Sequence, residues 1–256
     1  MRLNAKKQRS LMAKGVISNM GIFKKKRISR QECLIAGSEN YTSRLDGYMR
    51  LRDNVLFLSD GGKNKTIQIE SSVSGELKTT TVSNLAVLLG ASGKKVLILD
   101  LDFRRAGIHK VFGVDGDSGL AEYMLETATL DQAIKTTAYK NVDVLPRGGA
   151  IHNSAVVLIS DRFSNLIADL KSKYDIILFD SSPVLQMSDY IHITKFSDVT
   201  LLLVAYGRTK KSHIRETVKE LKKAGANIAG TVFTFYESMP QYGRYYYNKY
   251  YYRKED

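Results

Sequence analysis

Thr66-Ile67-Gln68-Ile69-Glu70, followed by Ser71-Ser72-Val73-Ser74-Gly75-Glu76-Leu77-Lys78-Thr79-Thr80, is the stretch on which the fold turns. Its first five residues read as a strand, and from Thr79 to Leu89 the pattern is helical. A glycine-containing loop between strand and helix is where backbone N–H groups and a helix N-terminus face an anion. There a lysine neutralises the outer phosphates and the next hydroxyl holds magnesium. Lys78 and Thr79 stand in those places, which makes Ser72, Ser74, Gly75, Glu76, Leu77, Lys78, Thr79 and Thr80 the candidate nucleotide-binding residues. One position departs from the usual pattern. Leu77 precedes the lysine where glycine is usual, and glycine is the residue that allows close backbone approach and unusual dihedrals.

Working outward, Val96-Leu97-Ile98-Leu99-Asp100-Leu101-Asp102 ends an apolar strand in two acids spaced by one residue. In extended chain such residues share a face, so both can point into one crevice. Ile176-Ile177-Leu178-Phe179-Asp180-Ser181-Ser182-Pro183 puts a third acid at the end of another apolar strand. Each element alone also fits an ordinary strand end. Together, each in its required context, they point to a joint phosphate and metal site.

The rest of the chain fits this frame. Strands are predicted over 66–70, 95–100, 142–145, 175–180, 199–205 and 228–233, alternating with helices over 79–89, 160–172 and 211–223, with Gly90 and Gly225 as helix terminators. Apolar runs bury both faces of a strand, so the fold class is α/β, a parallel β-sheet flanked by helices. In such sheets ligands bind at the carboxyl ends of the strands. Arg44 to Leu58 reads as an additional helix, with Leu45, Tyr48, Leu51, Val55 and Leu58 on its apolar positions. The expected division is a basic arm over 1–45, a nucleotide-binding domain over 46–235 and a tyrosine-rich tail over 236–256.

The net charge of +13 has a location. Met1 to Arg30 holds ten Lys or Arg and no acid, which leaves +3 for the remaining 226 of the 256 residues. The arm is expected either to contact anionic lipid, at about 1 kcal/mol per basic residue near the surface, or to be a solvated leader. No run approaches the length of a membrane span, and the N-terminus lacks the apolar core of a secretory signal, so the expected location is cytoplasmic, peripheral at the inner face of the cell membrane. The lone cysteine, Cys33, and four scattered histidines offer neither an internal disulfide nor a metal-ligand spacing.

The phosphate loop, Asp100-x-Asp102-Phe103-Arg104-Arg105 and Asp180-Ser-Ser-Pro resemble the Walker A, A′ and B motifs of bacterial tyrosine kinases, the kinases of capsule and exopolysaccharide assembly. The likeness runs from about Asp46 through Gly119-Leu120, Val142-Asp143-Val144-Leu145-Pro146 and Tyr174-Asp175 to Gly230 and the tail. It implies ATP and Mg²⁺ as cofactors, with Lys78 on the outer phosphates and Thr79, Asp102 and Asp180 around the metal. Asp100 is the implied proton acceptor for an incoming tyrosine, and Asp100 and Asp102 can exchange roles. Eight of fifteen tyrosines lie in the tail. Besides Tyr236 these are Tyr242, Tyr245, Tyr246, Tyr247, Tyr250, Tyr251 and Tyr252, the implied phosphoacceptors. Each phosphate adds about two negative charges.

The implied partners are a transmembrane activator (a polysaccharide co-polymerase), a cognate tyrosine phosphatase and the chain itself in trans. For that assembly the family uses a helix with an acid-x-x-Arg-x-x-Arg pattern; Asp46, Met49 and Arg52 match it with one arginine replaced. Ser74 and Ser154 replace common prolines, Ala106 follows the arginines, and Thr234 stands near a usual base-side asparagine. Two other readings stay open: a pseudokinase scaffold disabled by Leu77, and a partition-type P-loop ATPase. Against the latter, Val73 replaces the signature lysine of that group, and no nucleic-acid partner is expected.

Overall fold

The computed structural model describes residues 34–36, 43–59, 62 and 65–236; the basic arm of Met1 to Arg30 and the tyrosines Tyr242 to Tyr252 expected as acceptors lie outside the described residues. The strands are β1 (Thr66–Ser71), β2 (Val96–Leu101), β3 (Lys135–Thr136), β4 (Val142–Leu145), β5 (Ile176–Ser181), β6 (Val199–Ala205) and β7 (Ile228–Thr234). They form one sheet in the order β3-β4-β2-β5-β1-β6-β7. Every pairing is parallel except that of the short edge strand β3 with β4. All residues of β1, β2, β5 and β6 are buried, as strands covered on both faces require.

The helices are α1 (Ser43–Leu58), α2 (Lys78–Ala91), α3 (Ile108–Phe112), α4 (Leu120–Met124), α5 (Leu130–Ala133), α6 (Ser154–Ile159), α7 (Asp161–Lys173), α8 (Tyr190–Ile193) and α9 (Lys211–Lys223). On one face of the sheet Ile67, Ile69, Ile98 and Leu178 pack against Val82, Leu85 and Leu89 of α2. Leu51 and Val55 of α1 close the same cluster from outside, so α2 is sandwiched and almost wholly buried. On the other face Leu97, Leu99, Ile177 and Phe179 meet Phe163, Leu166 and Leu170 of α7, while Leu202 and Val204 meet Leu221 of α9.

α7 begins where Ser160 accepts the N–H of Phe163 at 3.2 Å. After α9, Gly225 takes φ +82°, the left-handed turn that a terminating glycine supplies. Gly90 does something else. α2 runs through it to Ala91, and a Cβ there would meet Lys140 O and Val142 Cγ2, each at 2.6 Å. The glycine admits the approach to β4 beneath the helix, and Gly93, at φ +88°, makes the turn instead.

Candidate functional site: the phosphate loop and its acids

Because β1, β2 and β5 run parallel, their carboxyl ends bring the loop after Ser71, Asp100 with Asp102, and Asp180 to one edge of the sheet. Asp100 and Asp180 are partners in register across β2 and β5.

The loop is built around Glu76, which is 3% exposed and turned inward. Its Oε2 accepts the backbone N–H groups of Ser72 at 2.7 Å and Val73 at 3.1 Å. Its Oε1 accepts the Thr209 hydroxyl, and its carbonyl accepts the Thr234 hydroxyl at 3.1 Å. Ser72 Oγ accepts from Thr217 of α9 at 2.9 Å, and the exposed Ser74 donates to Gln186 at 2.7 Å. Gly75 has φ +87°, and Leu77 has φ 65° and ψ 30°: the leucine occupies the left-handed conformation that glycine supplies at this position. The half-buried Leu77 caps α2, and its carbonyl accepts the N–H of Thr81 at 2.8 Å. Thr80, partly exposed, follows in the first turn.

Lys78 and Thr79 converge on one carboxylate. Lys78 Nζ lies 3.5 Å from Asp180 Oδ1, and Thr79 Oγ1 donates to Asp180 Oδ2 at 2.7 Å. Burial raises the Asp180 carboxyl above its ordinary range, and Lys78 and Thr79 pull it back. Asp100 is fully buried. Its Oδ2 accepts the N–H groups of Gly107 (3.0 Å) and Ile108 (3.2 Å), and its Oδ1 that of Asp102 (3.2 Å). Burial first, then the neighbouring Asp180, push Asp100 up to about 7, against those three donors. Asp102 is partly exposed; its Oδ1 accepts Arg104 N at 3.1 Å, Arg105 N at 2.9 Å and the Ser182 hydroxyl at 2.8 Å.

Among the described residues no three His, Cys, Asp or Glu gather as a metal cluster. Magnesium does not need one, since it takes one or two carboxylates plus substrate phosphates and water. The donors here fit it: buried Asp180 Oδ1 has no hydrogen-bond partner and meets only the Lys78 ammonium at 3.5 Å, the Thr79 hydroxyl is on its other oxygen, and Asp102 is held through Ser182.

Thr209 and Thr217 were not singled out from the sequence, and Thr234 was noted there only as standing near a base-side position. Thr209, Thr217 and Thr234 anchor the loop from more than 130 residues away in the chain. Beside them, at the ends of β6 and β7, Tyr206 stacks edge-on with Phe233 (6.1 Å) and Tyr236 (5.2 Å), and Arg208 covers Phe235 at 3.5 Å. Isolated threonines and aromatics carry no spacing signal.

Comparison with known proteins agrees with this geometry. Residues 64–228 match the family model described as AAA domain. The tyrosine-protein kinase YwqD of Bacillus subtilis is 30% identical over 210 residues, covering 82% of this chain and 89% of that protein. Several other curated tyrosine-protein kinases are longer, and the chain spans between 28% and 32% of their length. Among solved structures, the chimerical protein CapA2B2 superposes with a TM-score of 0.77 at 26% identity, covering 82% of this chain and 93% of that one. The septum site-determining protein MinD of Pyrococcus horikoshii, solved with Mg-ADP, superposes at 0.56 with 32% identity over 65% of this chain and 68% of its own. A family match across more than half the chain, together with a relative aligned over nearly its whole length, makes this chain a member of the bacterial tyrosine-protein kinase family of P-loop proteins.

Proposed function

We propose that this chain is an ATP-dependent protein-tyrosine kinase that phosphorylates tyrosines of its own tail, in trans, within capsule or exopolysaccharide production. The observation that carries the reading is the convergence of Lys78 and Thr79 on Asp180 at the end of a left-handed phosphate loop. One carboxylate gathers the two side chains that the outer phosphates and their metal would engage.

In this reading Lys78 neutralises the outer phosphates, while Thr79, Asp102 and Asp180 would hold Mg²⁺, which when bound would supply charge neutralisation for the transfer. The tyrosine oxygen attacks the γ-phosphorus, the new O–P bond forms as the bond to the ADP oxygen breaks, and the phenolic proton passes to an ionised carboxylate. Asp100 has the proton affinity for this near neutral pH and Asp102 has the access. A tyrosine entering the site meets Asp102 first, and Asp100 accepts a proton after its bonds to Gly107 and Ile108 open. The tail from Tyr242 to Tyr252 supplies the acceptors, a transmembrane activator and a tyrosine phosphatase complete the cycle, and the basic arm meets anionic lipid. No helix of the described residues is long and apolar enough to cross a membrane.

Incubation of the full chain with Mg²⁺ and γ-labelled ATP, followed by mass spectrometry of the tail, tests this. Phosphotyrosine is expected in the parent, with a loss of about 10²–10³-fold in Lys78→Met, as removal of one preorganised charge contact predicts. Label that appears only in a Leu77→Gly variant would instead identify a scaffold with a disabled loop.

A further inference from the structure

α9 is a basic helix whose charges are sorted by side. Lys211, Arg215 and Lys219 follow one another four residues apart and Lys222 falls three beyond Lys219, so the four share a stripe along the helix. All four are exposed, and none makes an ion pair with a described residue. Glu216 and Glu220 lie on another side. Tyr190 of α8 donates its hydroxyl to Glu220 at 3.3 Å, and Lys223 pairs with the same carboxylate at 2.6 Å, so the acids are turned toward α8. α8 lies on the connection from β5 to β6 and α9 on that from β6 to β7, so the stripe, turned away from α8, faces the outer edge of the sheet.

β7 forms that edge. It ends the strand order, no described strand pairs with its outer side, and its seven residues include no charge and no proline. Ala229, Thr231 and Phe233 alternate along it as exposed positions. Such an edge offers backbone donors and acceptors to a chain laid beside it. A row of unpaired cations flanking an uncharged strand edge suits an extended peptide bearing phosphates, which Arg and Lys recognise, rather than a lipid surface, which asks for a broad exposed plane.

The chain itself carries a candidate. Residues 237–256 follow Tyr236, which stacks on Tyr206 at the rim where α9 begins. The chain from Tyr236 to Tyr245 extends to about 32 Å. That is twice the roughly 17 Å that the helix covers from Lys211 to Lys222. The segment holds Arg244, Lys249, Arg253 and Lys254 against Glu237, Glu255 and Asp256, four bases less three acids, a net charge of +1. Each phosphate adds about two negative charges, so a single one reverses the sign. We propose that the α9 stripe, with the open edge of β7, is the docking surface for the phosphorylated tail of the same chain. A tyrosine once modified is drawn onto its own subunit and out of circulation, whereas the unmodified tail, net positive, is not attracted there. The inference rests on the reading of the tail tyrosines as acceptors.

Fluorescence anisotropy of a labelled synthetic peptide 237–256, with and without phosphate on Tyr245, Tyr246 and Tyr247, added to the full unphosphorylated chain, tests this without calling on kinase activity. The phosphopeptide is expected to bind. Arg215→Ser, Lys219→Ser and Lys222→Ser together should weaken it about tenfold, the combined worth of three exposed charge contacts. Lys24→Ser, Lys25→Ser and Lys26→Ser, which take equal charge from the basic arm, should leave it nearly unchanged. Equal loss from both sets, or equal binding of the peptide without phosphate, would overturn the proposal. So would a neutralised stripe that releases the protein from phosphatidylserine vesicles while phosphopeptide affinity stays the same, because the stripe would then be a lipid surface. A full chain whose tail carries the same three phosphates, made by ligating the synthetic tail, should no longer take up free phosphopeptide and should associate no more than the parent. Undiminished uptake, or association that depends on the tail phosphates, would overturn docking on the same chain. Should the triple stripe variant fail to fold, Lys211→Ser with Lys222→Ser decides: weaker phosphopeptide binding supports the surface and unchanged binding overturns it. Phosphopeptide binding at the stripe without transfer from ATP would count against the kinase reading alone, whereas transfer to the tail without phosphopeptide binding would overturn this proposal alone.

Discussion

Leu77 offers a test of the phosphate loop that needs no nucleotide. Its φ of 65° and ψ of 30° cost a residue with a Cβ about 1–2 kcal/mol relative to ordinary backbone. Replacing it by alanine or by glycine removes the same half-buried side chain beyond Cβ, so packing losses cancel when the two variants are compared with each other. At an ordinary helical position glycine is less stable than alanine by about 0.5–1 kcal/mol, because its unfolded chain is freer. At this position the left-handed strain falls on alanine alone and outweighs that term, so Leu77→Gly should exceed Leu77→Ala in stability by about 0.5–1 kcal/mol. Urea unfolding of both variants, with equal slopes so that the midpoints report stability, measures the difference. An alanine variant as stable as the glycine variant, or more so, would refute the left-handed assignment and with it the claim that the loop keeps its nucleotide-binding shape despite the leucine.

Other expectations concern the frame around the site. Gly90→Ala drives a methyl into Lys140 O and Val142 Cγ2, each 2.6 Å from the new carbon, and should cost about 1–3 kcal/mol of unfolding free energy, as overpacking does; a neutral result by urea denaturation would show that α2 and β4 can separate freely. Asp198 ties the lower end of the sheet, accepting the N–H groups of Lys65 (2.8 Å) and Thr66 (2.9 Å) and the ammonium of Lys171 (2.9 Å). Burial opposes its ionisation, but the bonds from Lys171 and Thr66 outweigh it and hold its pKa below the ordinary value. Its contribution is therefore complete above about pH 4, the unfolded carboxylate range, and is lost as pH falls through the lower folded value. Asp198→Asn should cost about 1–3 kcal/mol at pH 7 and visibly less in acid, where the parent carboxyl is itself protonated, when unfolding is followed at both pH values.

The sheet was legible in the sequence because its strands are continuous apolar runs. Val142 to Leu145, Val199 to Ala205 and the helix Lys211 to Lys223 have the bounds that the pattern predicts; β1 and β7 run one residue further at the carboxyl end, and β2 and β5 are shifted by one residue at both ends. β3 and the helices of four to six residues went unread because elements that short carry no period. Gly90 misled because a glycine late in a helix reads as a stop, and its real reason, the chain crossing beneath it at Lys140, is fifty residues away. The same limit applies to the site. Lys78, Thr79 and the three aspartates announced themselves by their place at strand ends, whereas Thr209, Thr217 and Thr234 matter through contacts that no local spacing encodes.

The direction of β7 carries one more consequence. Since it runs parallel to β6, the chain leaves the sheet on the same rim as the phosphate loop, and Tyr236 already stacks there on Tyr206. A polypeptide spans at most about 3.6 Å per residue, so Tyr242 stays within about 22 Å of Tyr236 and Tyr252 within about 58 Å. An antiparallel β7 would have started that tether at the far rim, a strand length of about 23 Å away. Under the proposed transfer between copies, this tether, longer for each successive tyrosine, sets an upper limit on how distant a neighbouring site each can reach.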